Sequence, residues 1–119
     1  MQYMLMFAGN EEYYDTFDSF SEEQQREAMG KIGEWWEKHA AAGKILEGHQ
    51  LQPAATATTV RIQNGKSVVT DGPFIEAKER IGGYAIVSVP SLDEAITLAK
   101  SWPAGGTVEV RPVVERPGM

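Results

Sequence analysis

Thr70-Asp71-Gly72-Pro73-Phe74-Ile75-Glu76-Ala77-Lys78-Glu79-Arg80-Ile81-Gly82-Gly83-Tyr84 is the stretch on which the fold turns. It sets an acid, a Gly-Pro corner, an aromatic and a cluster of charges between two apolar strands, where a tight hairpin needs only two residues. A connection of that composition shapes something. It also separates two halves of the chain that read alike, each as strand, helix, strand.

In the upstream half, Gln2 to Ala8 alternates as a strand, with Tyr3, Leu5 and Phe7 on one side and Gln2, Met4 and Met6 on the other. Both sides are mostly apolar, so both are expected to be covered. Gly9 to Phe20 reads as a polar, aromatic-studded loop. Ser21 with Gln24 is a capping box that opens a helix, along which Ala28, Met29, Ile32, Trp35, Trp36 and His39 recur opposite Lys31, Glu34, Glu37 and Lys38. Gly43 ends that helix, and Lys44 to Leu51 is the next strand, stopped by Pro53. Thr56 to Gln63, the turn Asn64-Gly65 and Ser67 to Thr70 form a hairpin.

Downstream, Gly83 to Val89 is a strand, and Ser91 with Glu94 caps a helix whose apolar stripe is Leu92, Ala95, Ile96, Ala99 and Trp102. Pro103 stops it, and Thr107 to Val114 is the last strand. The order predicts an α+β domain on the ferredoxin-like plan, a split βαβ pair with a hairpin inserted at its middle. Two helices then cover one face of a four-stranded antiparallel sheet and leave the other bare. Val108 and Val110 are expected to face the helices, while Glu109, Arg111 and Val113 share the bare face. An apolar surface of that size invites association, so a homodimer packed sheet to sheet is expected, enclosing a partly apolar cavity for a small anionic or aromatic ligand.

Composition narrows the classes of partner. With 119 residues and 42% apolar content, the chain suits one domain over residues 1–119 that buries its own core. It has no cysteine, so neither disulfides nor thiolate chemistry contribute, which suits a reducing cytoplasm. Met1 to Phe7 lacks a basic leader, and no apolar run approaches the roughly 18 residues of a membrane span. A net charge of -6 repels phosphate backbones and anionic headgroups, so neither nucleic acid nor membrane is expected as a partner. His39 and His49 have no recognised zinc spacing, and no metal is expected. There is no Gly-rich phosphate loop, Gly-x-Ser-x-Gly elbow or dinucleotide fingerprint, which leaves cofactor-free acid–base chemistry or plain binding.

Leu51-Gln52-Pro53, Thr59-Val60-Arg61, Val69-Thr70-Asp71-Gly72-Pro73-Phe74 with Glu76 and Lys78-Glu79, Gly82-Gly83-Tyr84, Leu92-Asp93-Glu94-Ala95 and Val108-Glu109-Val110-Arg111-Pro112 together resemble the DGPF branch of the YCII-related proteins. The resemblance runs from Tyr3 to Val113 and implies a dimeric α+β barrel. Some relatives occur beside sigma-factor genes, and one YCII-type relative acts as a dehydrochlorinase on a chlorinated hydroquinone. A His–Asp pair, with its His on the first helix, is the catalytic unit proposed for YCII proteins. Here the corresponding helix position falls near Ile32, so that pair is not carried over intact, and His39 lies a turn or two further along.

Asp71 is the leading acid. It would either cap the Gly72-Pro73 corner as an Asx-turn or, facing a cavity, act as a general base. His49, beside Gly48, would be a surface strand histidine or the second half of a proton shuttle with Asp71. Glu76, Lys78 and Glu79 would form a solvated turn or pair with Glu109 and Arg111, and Arg111 or Lys78 would hold an anionic substrate. His39 is expected to fill a packing position near the helix dipole. One of Trp35 and Trp36 should enter the core while the other borders a cavity or a subunit contact. Tyr13 to Phe17 would be a lid or a cover for a sheet edge. Two functions follow: a lyase or isomerase moving protons with Asp71 and His49 and binding substrate through Lys78, Arg111, Glu109 and Glu79; or a non-catalytic dimer that binds a metabolite or protein, with a link to sigma-factor signalling.

Overall fold

The computed structural model describes residues 1–73 and 79–116. Its elements are β1 (Gln2–Asn10), α1 (Glu11–Asp18), α2 (Glu22–Ala41), β2 (Ile45–Gln50), β3 (Thr58–Gln63), β4 (Lys66–Asp71), β5 (Glu79–Ser88), α3 (Leu92–Lys100) and β6 (Thr107–Pro112), with a short 3-10 turn at Ala54–Thr56. Four strands form an antiparallel sheet in the order β2-β5-β1-β6, and β3 and β4 form a separate two-stranded sheet. The fold is mixed α+β.

Strand alternation divides the large sheet cleanly. Tyr3, Leu5 and Phe7 of β1 stand opposite Val87, Ala85 and Gly83 of β5 and opposite Pro112, Val110 and Val108 of β6. These residues face the helices, and Trp35, Ala95 and Leu98 close the core over them. The other face carries Met4 and Met6 between Ile86 and Tyr84 on one side and Arg111 and Glu109 on the other. No helix covers it among the described residues.

Helix α2 begins as its sequence dictates. Ser21 Oγ accepts from the Gln24 amide at 3.1 Å, and Gln24 Oε1 accepts from the Ser21 amide at 2.9 Å. At α3, Ser91 Oγ accepts from the Glu94 amide at 3.2 Å. The hairpin turn is the expected one, with Asn64 at φ 52° and Gly65 at φ 75°, the left-handed pair that a two-residue connection requires.

One expectation is corrected. Glu11–Asp18, inside the segment taken as a loop, is helical, so the described residues form three α-helices rather than two. Asn10 Oδ1 accepts from the Tyr13 amide at 2.8 Å, and Glu11 and Glu12 occupy the first turn, where carboxylates favour the helix dipole. None of its residues is buried. Its apolar stripe, Tyr13, Tyr14 and Phe17, is short and only half-buried among acidic residues, which is why the segment read as an aromatic-studded loop. β5 also begins at Glu79, earlier than expected, because the glycine doublet sits inside the strand at a register shift rather than ending it.

Candidate functional site

A strongly apolar concavity lies on the helix side of the sheet, where the end of β1, the start of β5 and the end of β2 meet α1 and α2. Its volume is about 300 Å³. Phe7, Tyr14, Phe17, Ile32, Trp36 and Trp102 supply most of its wall, and Gln50 lies at its border. Phe7 holds the floor: its ring stacks on Trp102 with centroids 3.9 Å apart and meets Trp36 edge-on at 6.2 Å. Trp35 turns away into the core, where its indole donates to Ser101 Oγ at 2.9 Å. The neighbouring tryptophans thus divide the work, Trp35 as core and Trp36 as cavity wall.

Helix α1 closes one side through two phenols. The Tyr13 hydroxyl donates to the Ala104 carbonyl and the Tyr14 hydroxyl to the Arg80 carbonyl, both at 2.9 Å. Burial raises the pKa of both phenols, and Tyr13 raises that of Tyr14 further, so both are neutral at physiological pH. Each oxygen still has lone pairs to accept a hydrogen bond from a ligand.

Two glycines explain how the wall fits. A β-carbon at Gly82 would lie 2.6 Å from Tyr14 Oη, and one at Gly48 would collide with the Trp36 ring while lying 2.6 Å from the Tyr84 carbonyl. Gly82 therefore seats α1 against β5, and Gly48 admits the indole against β2.

The residues singled out from sequence lie elsewhere. Asp71 ends β4 of the two-stranded sheet, opposite Thr58, with its side chain exposed. His49 borders the cavity, but its register opposite Tyr84 and ring centroids 5.9 Å apart place the imidazole on the uncovered face. Only its backbone can line the cavity. No hydrogen bond or ion pair joins Asp71 to His49 among the described residues. Glu109 and Arg111 pair with each other at 2.9 Å on the uncovered face, their side chains 51% and 68% exposed, too exposed to contribute much stability. Glu79 accepts from the Thr107 hydroxyl at 2.9 Å. Lys78 and Glu76 lie outside the described residues. His39 is buried against Trp35, ring centroids 5.0 Å apart. Burial and then Lys44 and Lys38 lower its pKa, the opposite of what the helix dipole alone would do.

Sequence reasoning missed the cavity because its walls come from six separate segments. The only local signal was aromatic: Tyr13, Tyr14, Phe17, Trp36 and Trp102 each had a plausible packing role on its own. Chemically the site offers π faces, two neutral phenols and the Gln50 amide. Among the described residues, no carboxylate, ammonium or guanidinium side chain lines it.

An antiparallel sheet with helices on one face and an aromatic cavity beneath them defines an α+β protein built around an internal apolar site. The chain belongs to the YCII-related domain family, whose model matches residues 1–116. It is similar to an uncharacterized protein of Rhizobium meliloti (strain 1021), with 34% identity over 105 residues that cover 84% of this chain and 85% of that protein. Among the described residues, no helix is long and apolar enough to cross a membrane, and no three His, Asp or Glu side chains are grouped to hold a metal ion.

Proposed function

We propose that this chain is a cytoplasmic, homodimeric small-molecule-binding protein of the DGPF branch that takes an uncharged, planar aromatic ligand beneath α1. The observation that carries the ligand class is the wall of the cavity, aromatic on several sides and, among the described residues, free of charged side chains. A ring bound there exchanges water for π faces, and its one or two polar atoms meet Tyr14 or Gln50. An anionic ligand would leave its hydration shell without gaining a counter-charge. Ile32 is part of the same wall, at the position near which the family's helix histidine falls. A hydrocarbon there supports binding rather than the family's proposed dyad chemistry.

The strand order β2-β5-β1-β6 is that of a ferredoxin-like split βαβ pair, and Met4, Met6, Tyr84 and Ile86 form an apolar centre on its uncovered face. Two such faces packed together make the dimeric α+β barrel. A second reading, a cofactor-free lyase or isomerase, is favoured by His49 on that same face beside Tyr84, with Arg111 across the sheet. It requires Asp71 or Lys78 to reach His49 in the dimer.

Thermal unfolding in the presence of indole, 2-naphthol or benzoate tests the ligand class, because any binder of the folded form raises its melting temperature. Indole and 2-naphthol should raise it and benzoate should not. Gly33 lies on the wall with open space where its β-carbon would be, so Gly33→Leu should fill the cavity and abolish both shifts without unfolding the chain. An equal response to benzoate, or undiminished shifts in Gly33→Leu, would falsify the assignment.

A further inference from the structure

The β3–β4 arm is the one sheet of the molecule with little to lean on. Val60, Ile62, Val68 and Val69 are 54%, 78%, 58% and 63% exposed, and an isolated two-stranded hairpin is marginal in water. Its base is secured: Thr59 is buried and donates to the Gly72 carbonyl at 2.7 Å, and the Gly72 amide donates to the Ala57 carbonyl at 2.7 Å. The protomer is correspondingly spread out. Its radius of gyration is 16.3 Å, against about 13.5 Å for a compact chain of this length, and its extents are 47 × 45 × 19 Å.

Register sorts the arm into two sides. Val60 and Val69 face each other across the pair on one side, with Ile62 opposite Ser67 and Thr58 opposite Asp71. Arg61 and Val68, and Gln63 and Lys66, lie on the other. One side is thus an apolar strip with a carboxylate at its base. The uncovered face of the large sheet offers a matching apolar centre of Met4, Met6, Tyr84 and Ile86, bordered by the Arg111–Glu109 pair, Glu47 and His49.

We infer that the Val60, Ile62 and Val69 side of the β3–β4 arm docks on the uncovered sheet face of a second copy of this chain, so that the two protomers clasp each other. The inference rests on the homodimer proposed above and assigns the apolar centre of each sheet face to the partner's arm in place of direct sheet-to-sheet contact there. Area supports a second copy as the occupant. The three side chains expose roughly 350 Å², and two arms with the surfaces they cover approach the scale of about 1,600 Å² that a standard interface buries. A twofold arrangement satisfies both arms and both sheets at once.

The test is the oligomeric state by sedimentation over a dilution series. Ile62→Lys/Val69→Lys should weaken dimerisation by about 100-fold, the effect of losing two anchor side chains, while Val68→Lys on the opposite side should change it by less than about threefold. Because the chain has no cysteine, Ile62→Cys and Val68→Cys offer a second measurement that needs no disruptive charge. Above the dimerisation concentration, a maleimide should react at least about tenfold more slowly with Ile62→Cys, the retardation expected of an interface thiol. A double lysine variant that dimerises normally, or equal maleimide rates at the two positions, overturns the clasp while leaving a sheet-to-sheet dimer standing. A wild-type chain that stays monomeric overturns both.

Discussion

The aromatic end of the molecule and the hairpin arm are built from similar residues and stabilised in opposite ways. Around Phe7, each ring meets two or three others, and Trp35 is only 5% exposed. On the arm, Ile62 is 78% exposed although its propensity for a strand is high. Apolar side chains stabilise only where something covers them. The first region is complete within one chain, and the second has correct local geometry without a core.

The contrast is sharpest under truncation. Trp35→Ala should cost about 3–5 kcal/mol of unfolding free energy by urea denaturation, while Ile62→Ser in separated protomers should stay within about 0.5 kcal/mol. Equal losses would mean that the arm has an internal partner. A smaller but still large effect is expected where space is the constraint. Gly48→Val pushes against Trp36 and the Tyr84 carbonyl and should cost about 1–3 kcal/mol, together with the indole-induced thermal shift. Tyr14→Phe removes a single hydrogen bond to the Arg80 carbonyl, worth about 1 kcal/mol. Amide exchange should quicken in α1 and remain unchanged in β3 and β4.

The smallest effect concerns protons. His39 has a lowered pKa in the folded chain, so between that value and the ordinary one near 6.5 the unfolded chain binds a proton that the folded chain does not. Its contribution to stability is therefore complete above about pH 6.5 and is lost as pH falls through the folded value. The wild-type melting temperature minus that of His39→Gln, measured from pH 8 to pH 5, should decline only on the acid side. A flat difference would remove His39 from the buried group.

Most of the fold was legible because its signals are local. Ser21 and Gln24 announce α2, Asn64-Gly65 announces the hairpin, and Tyr3, Leu5 and Phe7 recur on one side as strand alternation requires. Helix α1 was not, although Asn10-Glu11-Glu12 is a cap followed by two favourable charges. Its stripe, Tyr13, Tyr14 and Phe17, spans barely more than one turn and borders a cavity instead of a core, so it reads as a cluster of loop aromatics. The site was harder still. Asp71 and its charged neighbours dominate the sequence, whereas the cavity depends on Gly48 and Gly82, whose part is to leave room. Vacancy has no propensity, and it becomes visible only once Trp36 and Tyr14 are in place.

Both phenols that hold α1 end on main-chain oxygens, at Ala104 and Arg80, rather than on side chains. Replacing either acceptor residue leaves the acceptor itself intact, so drift in sequence at those positions does not unlatch the helix. Displacement of the strand does. The shape of the entrance is thus tied to where β5 lies.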